Sequence, residues 1–174
     1  MFSKIKRRFR DVSTIKALCS EAEKHANQDG QKEPGSEHFV LAALALSDGT
    51  ARQAFERLHI DPNGFRTAIA KQYEDALRNV GIEFAQAAGI KDSSAPMPSG
   101  TGIYKAQPSA QMLVQQLAGQ QKIDSTVPLL GAHVILAVTT AQNGVAARAL
   151  RCMGVDLAKL AEAATEQINA MRTA

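Results

Sequence analysis

Four histidines are the side chains best suited to acid–base or metal chemistry in this chain of 174 residues: His25, His38, His59 and His133. Nucleophilic catalysis needs a serine, cysteine or threonine activated by a base that a third group holds in place. None of these histidines has an acidic partner at a suitable spacing, and no serine lies in a nucleophile-elbow motif. The sequence therefore predicts a protein that is not an enzyme.

His38 and His133 precede two similar apolar segments and could be mistaken for a pair of metal ligands. Zinc sites are completed by further thiols, imidazoles or carboxylates, which the sequence does not supply at either position. We expect each imidazole to bond near the start of a helix and to fix the loop before it. Cys19 and Cys152 lie in apolar helical patterns without a CxxC motif, which favours reduced core thiols. No metal and no cofactor is predicted.

The chain carries the same pattern twice, at residues 35–61 and 130–156, and the two copies align without a gap. A repeat unit rarely buries its apolar face alone, so two copies indicate one domain with internal pseudo-symmetry. We expect the repeated positions to have structural roles. They are Gly35, His38, Gly49, Asp61, His133, Gly144, Gly154 and Asp156.

Apolar residues at spacings of three and four predict an all-α fold, with each copy at the centre of a four-helix repeat. Residues 13–28 form the first predicted helix, and Ser36 is the predicted N-cap of an apolar helix at 37–47. A short helix and a fourth helix that starts at Asp61-Pro62 complete the first repeat. The second repeat follows the same order, with helices that open at Pro108, at 132 and after Gly144, and a last helix capped by Asp156.

Length and composition predict one domain built on small aliphatic side chains, because 45% of the residues are hydrophobic and none is tryptophan. We divide the chain into a basic leader at 1–12 and a single domain at 13–174. That domain holds repeat 1 at about 13–75, a linker at 76–107 and repeat 2 at about 108–172. No apolar run is long enough to span a membrane and no secretory signal is present, so a cytoplasmic location is expected.

The leader accounts for more than the whole net charge of +3, because its five basic residues precede the first acid, Asp11. The basic residues are Lys4, Lys6, Arg7, Arg8 and Arg10. From Asp11 onward the chain has 15 basic and 17 acidic residues and is close to neutral. The interleaved Phe2, Ile5 and Phe9 allow a short amphipathic helix that binds anionic lipid or nucleic acid. A solvated leader to the first helix is the alternative.

The duplicated stretches GSEHFVLAAL…GTARQAFERLHID and GAHVILAV…GVAARALRCMGVD resemble the repeat of the Clp N-terminal domain family. The resemblance covers roughly 13–75 and 108–170, and it implies two four-helix repeats packed with pseudo-twofold symmetry. It also implies the substrate- and adaptor-binding module of Clp AAA+ unfoldases. No GxxxxGK[ST] motif occurs, so a stand-alone form without the ATPase modules is expected. His59 stands where the family has glycine, and Ala132 stands where it has glutamate.

Glu37 occupies the position that, in relatives specialised for phosphoarginine-marked substrates, helps to hold the guanidinium group. The resemblance implies that Glu37 could hold an arginine-bearing peptide, with Ser13 or Thr14 nearby at the start of the first helix. Tyr104, at the end of the linker, is a further candidate contact, and the groove between the repeats is a candidate cleft. The alternative is that Glu37 only stabilises the first turn of its helix.

The sequence thus predicts a non-catalytic protein- or peptide-binding module that acts as an adaptor, a competitor or a client binder in Clp-dependent proteolysis. Its expected partners are a Clp unfoldase, its adaptors or its substrates. The alternative function is a scaffold whose basic leader binds nucleic acid or a membrane surface. A third possibility is a sink for small ligands, because the family's pockets accept cyclic peptides.

Overall fold

The computed structural model describes residues 2–79, 105–123, 126–141 and 143–173, which form eight helices and no strand. This confirms the predicted all-α class. The helices are α1 (Phe2–Gln28), α2 (Ser36–Ala45), α3 (Thr50–Glu56), α4 (Gly64–Asn79), α5 (Pro108–Ile123), α6 (Gly131–Thr140), α7 (Val145–Cys152) and α8 (Leu157–Thr173).

The core forms around α2 and α6, the two apolar helices that the repeated pattern placed at the centre of each repeat. Both helices are buried over most of their length, and they pack against each other. The short helix of each repeat packs on the last helix of the other repeat, since α3 packs on α8 and α7 packs on α4. This reciprocal packing gives the pseudo-twofold arrangement and makes the two repeats one structural unit.

The first turn of α6 is held by side chains from the first repeat. Asp48 Oδ2 accepts a hydrogen bond of 3.0 Å from the Gly131 N–H, and Thr50 Oγ1 accepts one of 2.9 Å from the Ala132 N–H. Asp48 Oδ1 in turn accepts hydrogen bonds from both the N–H and the hydroxyl of Thr50. Because Leu130, the N-cap residue of α6, has no polar side chain, these contacts satisfy helix-start donors that the second repeat cannot satisfy itself.

The ends of α3 and α7 share one geometry, in which a residue two or three positions after the helix takes a left-handed backbone conformation. The residue is Gly154 after α7 (φ 75°) and His59 after α3 (φ 55°). In both copies the next N–H closes the turn on the carbonyl five residues earlier, from Ile60 to Phe55 and from Val155 to Leu150. His59 therefore adopts a conformation that favours glycine.

Replacing His59 by glycine is expected to raise the free energy of unfolding by about 0.5–1 kcal/mol, because it relieves a left-handed non-glycine residue. The His59 side chain is exposed, so its loss removes little packing. Urea unfolding of the His59→Gly variant measures the effect. The reverse change, Gly154→His at the equivalent position, should destabilise by a similar amount, and equal signs for the two variants would refute this account.

Several predicted boundaries differ from the structure. The first helix begins at Phe2 rather than at residue 13, so the basic leader is the start of α1. Gly35, not Ser36, is the N-cap residue of α2. Asp61 opens a turn, with its Oδ1 accepting the Asn63 N–H, and α4 starts only at Gly64. Asp156 caps α8 as predicted, through the N–H groups of Ala158 and Lys159.

Neither Cys19 nor Cys152 forms a disulfide bond, but only one fits the prediction of a core position. Cys19 on α1 is half-buried and packs on the core, whereas Cys152 at the end of α7 is exposed. The apolar pattern around Cys152 predicted the helix correctly, but it placed Cys152 on the buried face, whereas the side chain is exposed. Linker residues 80–104 lie outside the described residues.

Candidate functional site

The start of α2 is the most polar buried region described in the structure. Four segments surround it: the end of α1, the loop at 29–35, the middle of α4, and residues 105–109 at the start of α5. The apolar body of α2 fixes the position of this first turn. Polar side chains from distant parts of the sequence therefore meet at one helix start.

Glu37, in the first turn of α2, is only 1% exposed to solvent. Its Oε1 accepts a hydrogen bond of 2.6 Å from the Tyr73 hydroxyl on α4. The carboxylate folds back over Gly35, where a Cβ atom would lie only 2.5 Å from Glu37 Oε1. Gly35 is thus the residue that leaves room for a carboxylate beneath the loop.

Tyr73 links Glu37 to the loop and to the start of α5. Burial raises the pKa of the Tyr73 hydroxyl above its ordinary value, the Glu37 carboxylate acts in the same direction, and a hydrogen bond with Gln31 opposes both. Gln31 Oε1 in turn accepts a 2.7 Å hydrogen bond from Gln107 Nε2. Because the hydroxyl keeps its proton, Tyr73 is a hydrogen-bond donor to Glu37.

Residues 107–109 are tied to the loop before α2 by further hydrogen bonds. The Gln107 N–H donates to the Pro34 carbonyl at 3.0 Å, and Gln107 Nε2 donates to the Glu33 carbonyl at 3.1 Å. The Ser36 N–H donates to Ser109 Oγ at 3.2 Å, which satisfies a helix-start donor. The end of the linker is therefore part of the site.

His38 and His133 make the contact that we expected for structural imidazoles. His38 Nδ1 accepts the Gly35 N–H at 2.9 Å, and His133 Nδ1 accepts the Leu130 N–H at 3.1 Å. Each imidazole therefore fixes the residue before its helix. In the described part of the chain no group of three His, Cys, Asp or Glu side chains is arranged to hold a metal ion.

A second polar cluster joins the end of α1 to α4 beside this site. Arg66 on α4 donates to Asp29 Oδ1 at 2.8 Å, to His25 Nδ1 at 2.6 Å and to Gln28 Oε1 at 3.2 Å. Asp29 Oδ2 lies 3.3 Å from His38 Nε2, near enough for attraction but not aligned as a hydrogen bond. Arg66 therefore connects α4 to the loop that precedes Glu37.

Burial and the neighbouring Arg66 guanidinium lower the pKa of His25 below its ordinary value of 6.5. In the pH range below 6.5 the unfolded chain binds a proton at His25 more readily than the folded chain, so stability should fall as the pH drops. Urea unfolding at pH 7.5 and pH 5.5 should show a smaller pH-dependent loss in His25→Gln than in the wild type. An equal loss in both proteins would assign the pH dependence to other groups.

The structure does not bring Ser13 or Thr14 to Glu37, which corrects the prediction from the resemblance. Both residues lie inside α1, and Ser13 precedes its C-terminal end by about 20 Å along the axis. Asp11 Oδ1 accepts the Leu129 N–H at 2.8 Å, so this part of α1 lies beside the loop before α6. Tyr104 is outside the described residues, and its predicted contact remains a prediction.

Sequence reasoning missed Tyr73, Gln31, Gln107 and Arg66 as members of the site. One signal could have found Tyr73. The alignment of the repeats sets Glu37 against Ala132 and Tyr73 against Ile168, so a polar pair in one copy replaces an apolar pair in the other. Ala132 and Ile168 are both buried, which fits an apolar pair that replaces the polar pair of Glu37 and Tyr73.

In the region of the predicted groove, α4 packs on α7 and α3 packs on α8 across the two repeats. A shallow depression of about 390 Å³ lies on α8 and is lined by Ala161, Glu162, Thr165 and Glu166. Glu166 forms an exposed ion pair with Arg57 of α3, across the repeats. Such exposed pairs contribute little to stability. No helix among the described residues has the length and apolar character of a membrane span.

Fold and site define a duplicated all-helical domain with a buried carboxylate at the start of its first central helix. Residues 13–91 match the family model described as the Clp repeat (R) N-terminal domain. For residues 13–91 this match confirms the resemblance to the Clp N-terminal domain family. The matched residues include repeat 1 and Glu37, and the internal alignment relates repeat 2 to them.

Proposed function

We propose that this chain is a non-catalytic protein- or peptide-binding module that acts in Clp-dependent proteolysis as an adaptor, a competitor or a client binder. The observation that carries the proposal is the family match at 13–91, which contains Glu37, Tyr73 and Gln31. Binding energy alone would drive such a role, without hydrolysis of ATP by this chain.

The buried carboxylate of Glu37 supports a preference for a basic side chain of the bound peptide. A guanidinium group is planar and can give a carboxylate two parallel hydrogen bonds, more than the single bond from the Tyr73 hydroxyl. An arginine side chain would reach Glu37 by displacing Tyr73, which is half-buried and lies at the edge of the site. The displaced hydroxyl would still be near its partner Gln31.

Two conservative variants test this site without emptying it. Glu37→Gln keeps the volume and an oxygen that accepts from Tyr73, but it removes the negative charge. Its affinity for an arginine-containing peptide, measured by fluorescence anisotropy, should fall about tenfold or more, because bonds to charged groups are the strong ones. Tyr73→Phe removes the competing donor and should bind the same peptide at least as tightly as the wild type.

A matched peptide with lysine in place of arginine is the control for geometry. Lysine provides charge but not the planar fork, so it should bind more weakly to the wild type and show a smaller difference between the variants. Equal affinity of wild type and Glu37→Gln for the arginine peptide would remove Glu37 from the binding site.

The place in proteolysis is tested by capture from a lysate of the host, with the tagged chain as bait and mass spectrometry as the readout. Enrichment of a Clp unfoldase, its adaptors or its clients, reduced in Glu37→Gln, is the expected result. Capture of none of these proteins would contradict the role in Clp-dependent proteolysis and leave the family match as a statement about fold.

A further inference from the structure

The N-terminal part of α1 is the largest feature that the proposed function does not use. α1 has 27 residues and is about 40 Å long, whereas α2, the helix on which it packs, has 10 residues and spans about 15 Å. Among the described side chains of α1, the first that packs on the core is Ile15. Of the side chains described before Ile15, those of Arg10, Val12 and Ser13 are exposed.

The continuous helix gives α1 two apolar stripes that point in different directions. Successive residues turn by about 100° around an α-helix. The core-facing stripe consists of Ile15, Leu18, Cys19, Ala22 and Ala26. Positions 2, 5, 9 and 12, occupied by Phe, Ile, Phe and Val, form a second stripe about 100° around the axis from the first. The second stripe is thus not a continuation of the core face.

Val12 occupies one position of this second stripe, and its side chain is 51% exposed to solvent. Its neighbour Asp11 lies nearer to the core-facing side and is held there by the Leu129 N–H. That contact joins α1 to the loop before α6 and fixes the rotation of the helix at this point. Position 12 is turned by about 100° around the helix axis from the anchored Asp11.

Basic residues occupy five of the other positions in the same turns. Lys4, Lys6, Arg7, Arg8 and Arg10 lie outside the arc of positions 2, 5, 9 and 12, and no acid occurs before Asp11. A helix with an apolar stripe bordered by cations fits a surface that is apolar inside and negatively charged outside. Nucleic acid would use the charges but would leave the apolar stripe unpartnered.

We propose that the N-terminal turns of α1 bind the surface of an anionic membrane, with positions 2, 5, 9 and 12 in the acyl–headgroup boundary and the basic residues on lipid phosphates. The proposal is independent of the peptide site. The helix is already formed and anchored at Asp11, so binding does not require the ordering of a flexible segment. The domain would lie against the lipid with its α1 side.

The absence of tryptophan allows a clean fluorescence test on the full chain. Val12→Trp places a single reporter on the proposed stripe, and Met112→Trp places one on α5 at a residue that is 69% exposed. Vesicles of phosphatidylcholine mixed with phosphatidylglycerol should shift the Val12→Trp emission to the blue and leave Met112→Trp unchanged. Vesicles of phosphatidylcholine alone should bind much more weakly.

Two sets of substitutions, made in the Val12→Trp background, separate lipid from nucleic acid. The triple change Lys6→Gln, Arg7→Gln and Arg8→Gln should weaken vesicle binding about a hundredfold. The double change Ile5→Ser and Phe9→Ser should weaken it by about tenfold or more per residue. Circular dichroism of each variant checks that the fold is retained.

Three outcomes would overturn the proposal. The first is an unchanged Val12→Trp spectrum with the anionic vesicles. The second is a double apolar variant that binds vesicles as well as the reporter protein does. The third is binding to a mixed-sequence RNA that matches or exceeds vesicle binding and needs only the charges, which would make nucleic acid the partner of this segment.

Discussion

Replacing Thr50 by valine is expected to lower the free energy of unfolding by about 2–3 kcal/mol. Thr50 is almost fully buried, and its hydroxyl accepts the Ala132 N–H from the other repeat. Valine has the same shape but cannot accept, so a buried backbone donor loses its partner. Val145 already occupies the equivalent position at the start of α7, so valine itself is compatible with this helix start.

The measurement is urea unfolding followed by circular dichroism, with Thr50→Ser as the control that keeps the hydroxyl. The serine variant should lose less than half as much stability as the valine variant. A serine variant that loses as much stability as the valine variant would contradict this account, because it would make the methyl group of Thr50 as important as its hydroxyl.

Asp48→Asn tests the second bond between the repeats. The single amide oxygen of asparagine cannot accept hydrogen bonds from both Thr50 and the Gly131 N–H. We therefore expect the free energy of unfolding to fall by about 1–2 kcal/mol. Asn143 occupies the equivalent site in the second repeat and is exposed. The reverse change, Asn143→Asp, should therefore leave the free energy of unfolding nearly unchanged. Because Asp48 and Thr50 share a hydrogen bond, the double variant should lose less than the sum of the single losses.

Gly131→Ala is expected to destabilise the protein by about 1–3 kcal/mol, since it overfills the contact between the two repeats. A Cβ atom at Gly131 would lie 3.0 Å from the Ala43 carbonyl oxygen and 3.0 Å from the Ala51 Cβ. Neither neighbour is the flexible end of a long side chain. The central helices would have to move apart to accept even one methyl group.

Gly119→Ala is the matched control, because Gly119 also lies in a helix but has no atom within 4 Å of its Cβ position. There the alanine should stabilise by about 0.5–1 kcal/mol through its better helix propensity. Thermal unfolding of the two variants should therefore shift in opposite directions. A stabilising effect at both sites would mean that the repeats are less tightly packed than the structure shows.

The sequence by itself determined the helices and their order in this protein. Periodic apolar residues report burial on one face of a helix, and the alignment of 35–61 with 130–156 repeats those periods. The turns after the two short helices also fall at aligned positions, Gly154 and its counterpart His59. These features depend on neighbours close in the chain, which is why a pattern can reveal them.

Only the tertiary structure decided which groups contact Glu37 and that the basic leader continues into α1. Tyr73 reaches Glu37 from 36 positions away, and Asp48 reaches Gly131 from 83 positions away, distances at which no local spacing carries a signal. The interpretation of the leader changed because α1 is continuous from Phe2, and a helix fixes the angle between its two apolar stripes. Hydrogen bonds between distant segments and the rotation of a face depend on packing, and packing is set by the whole chain at once.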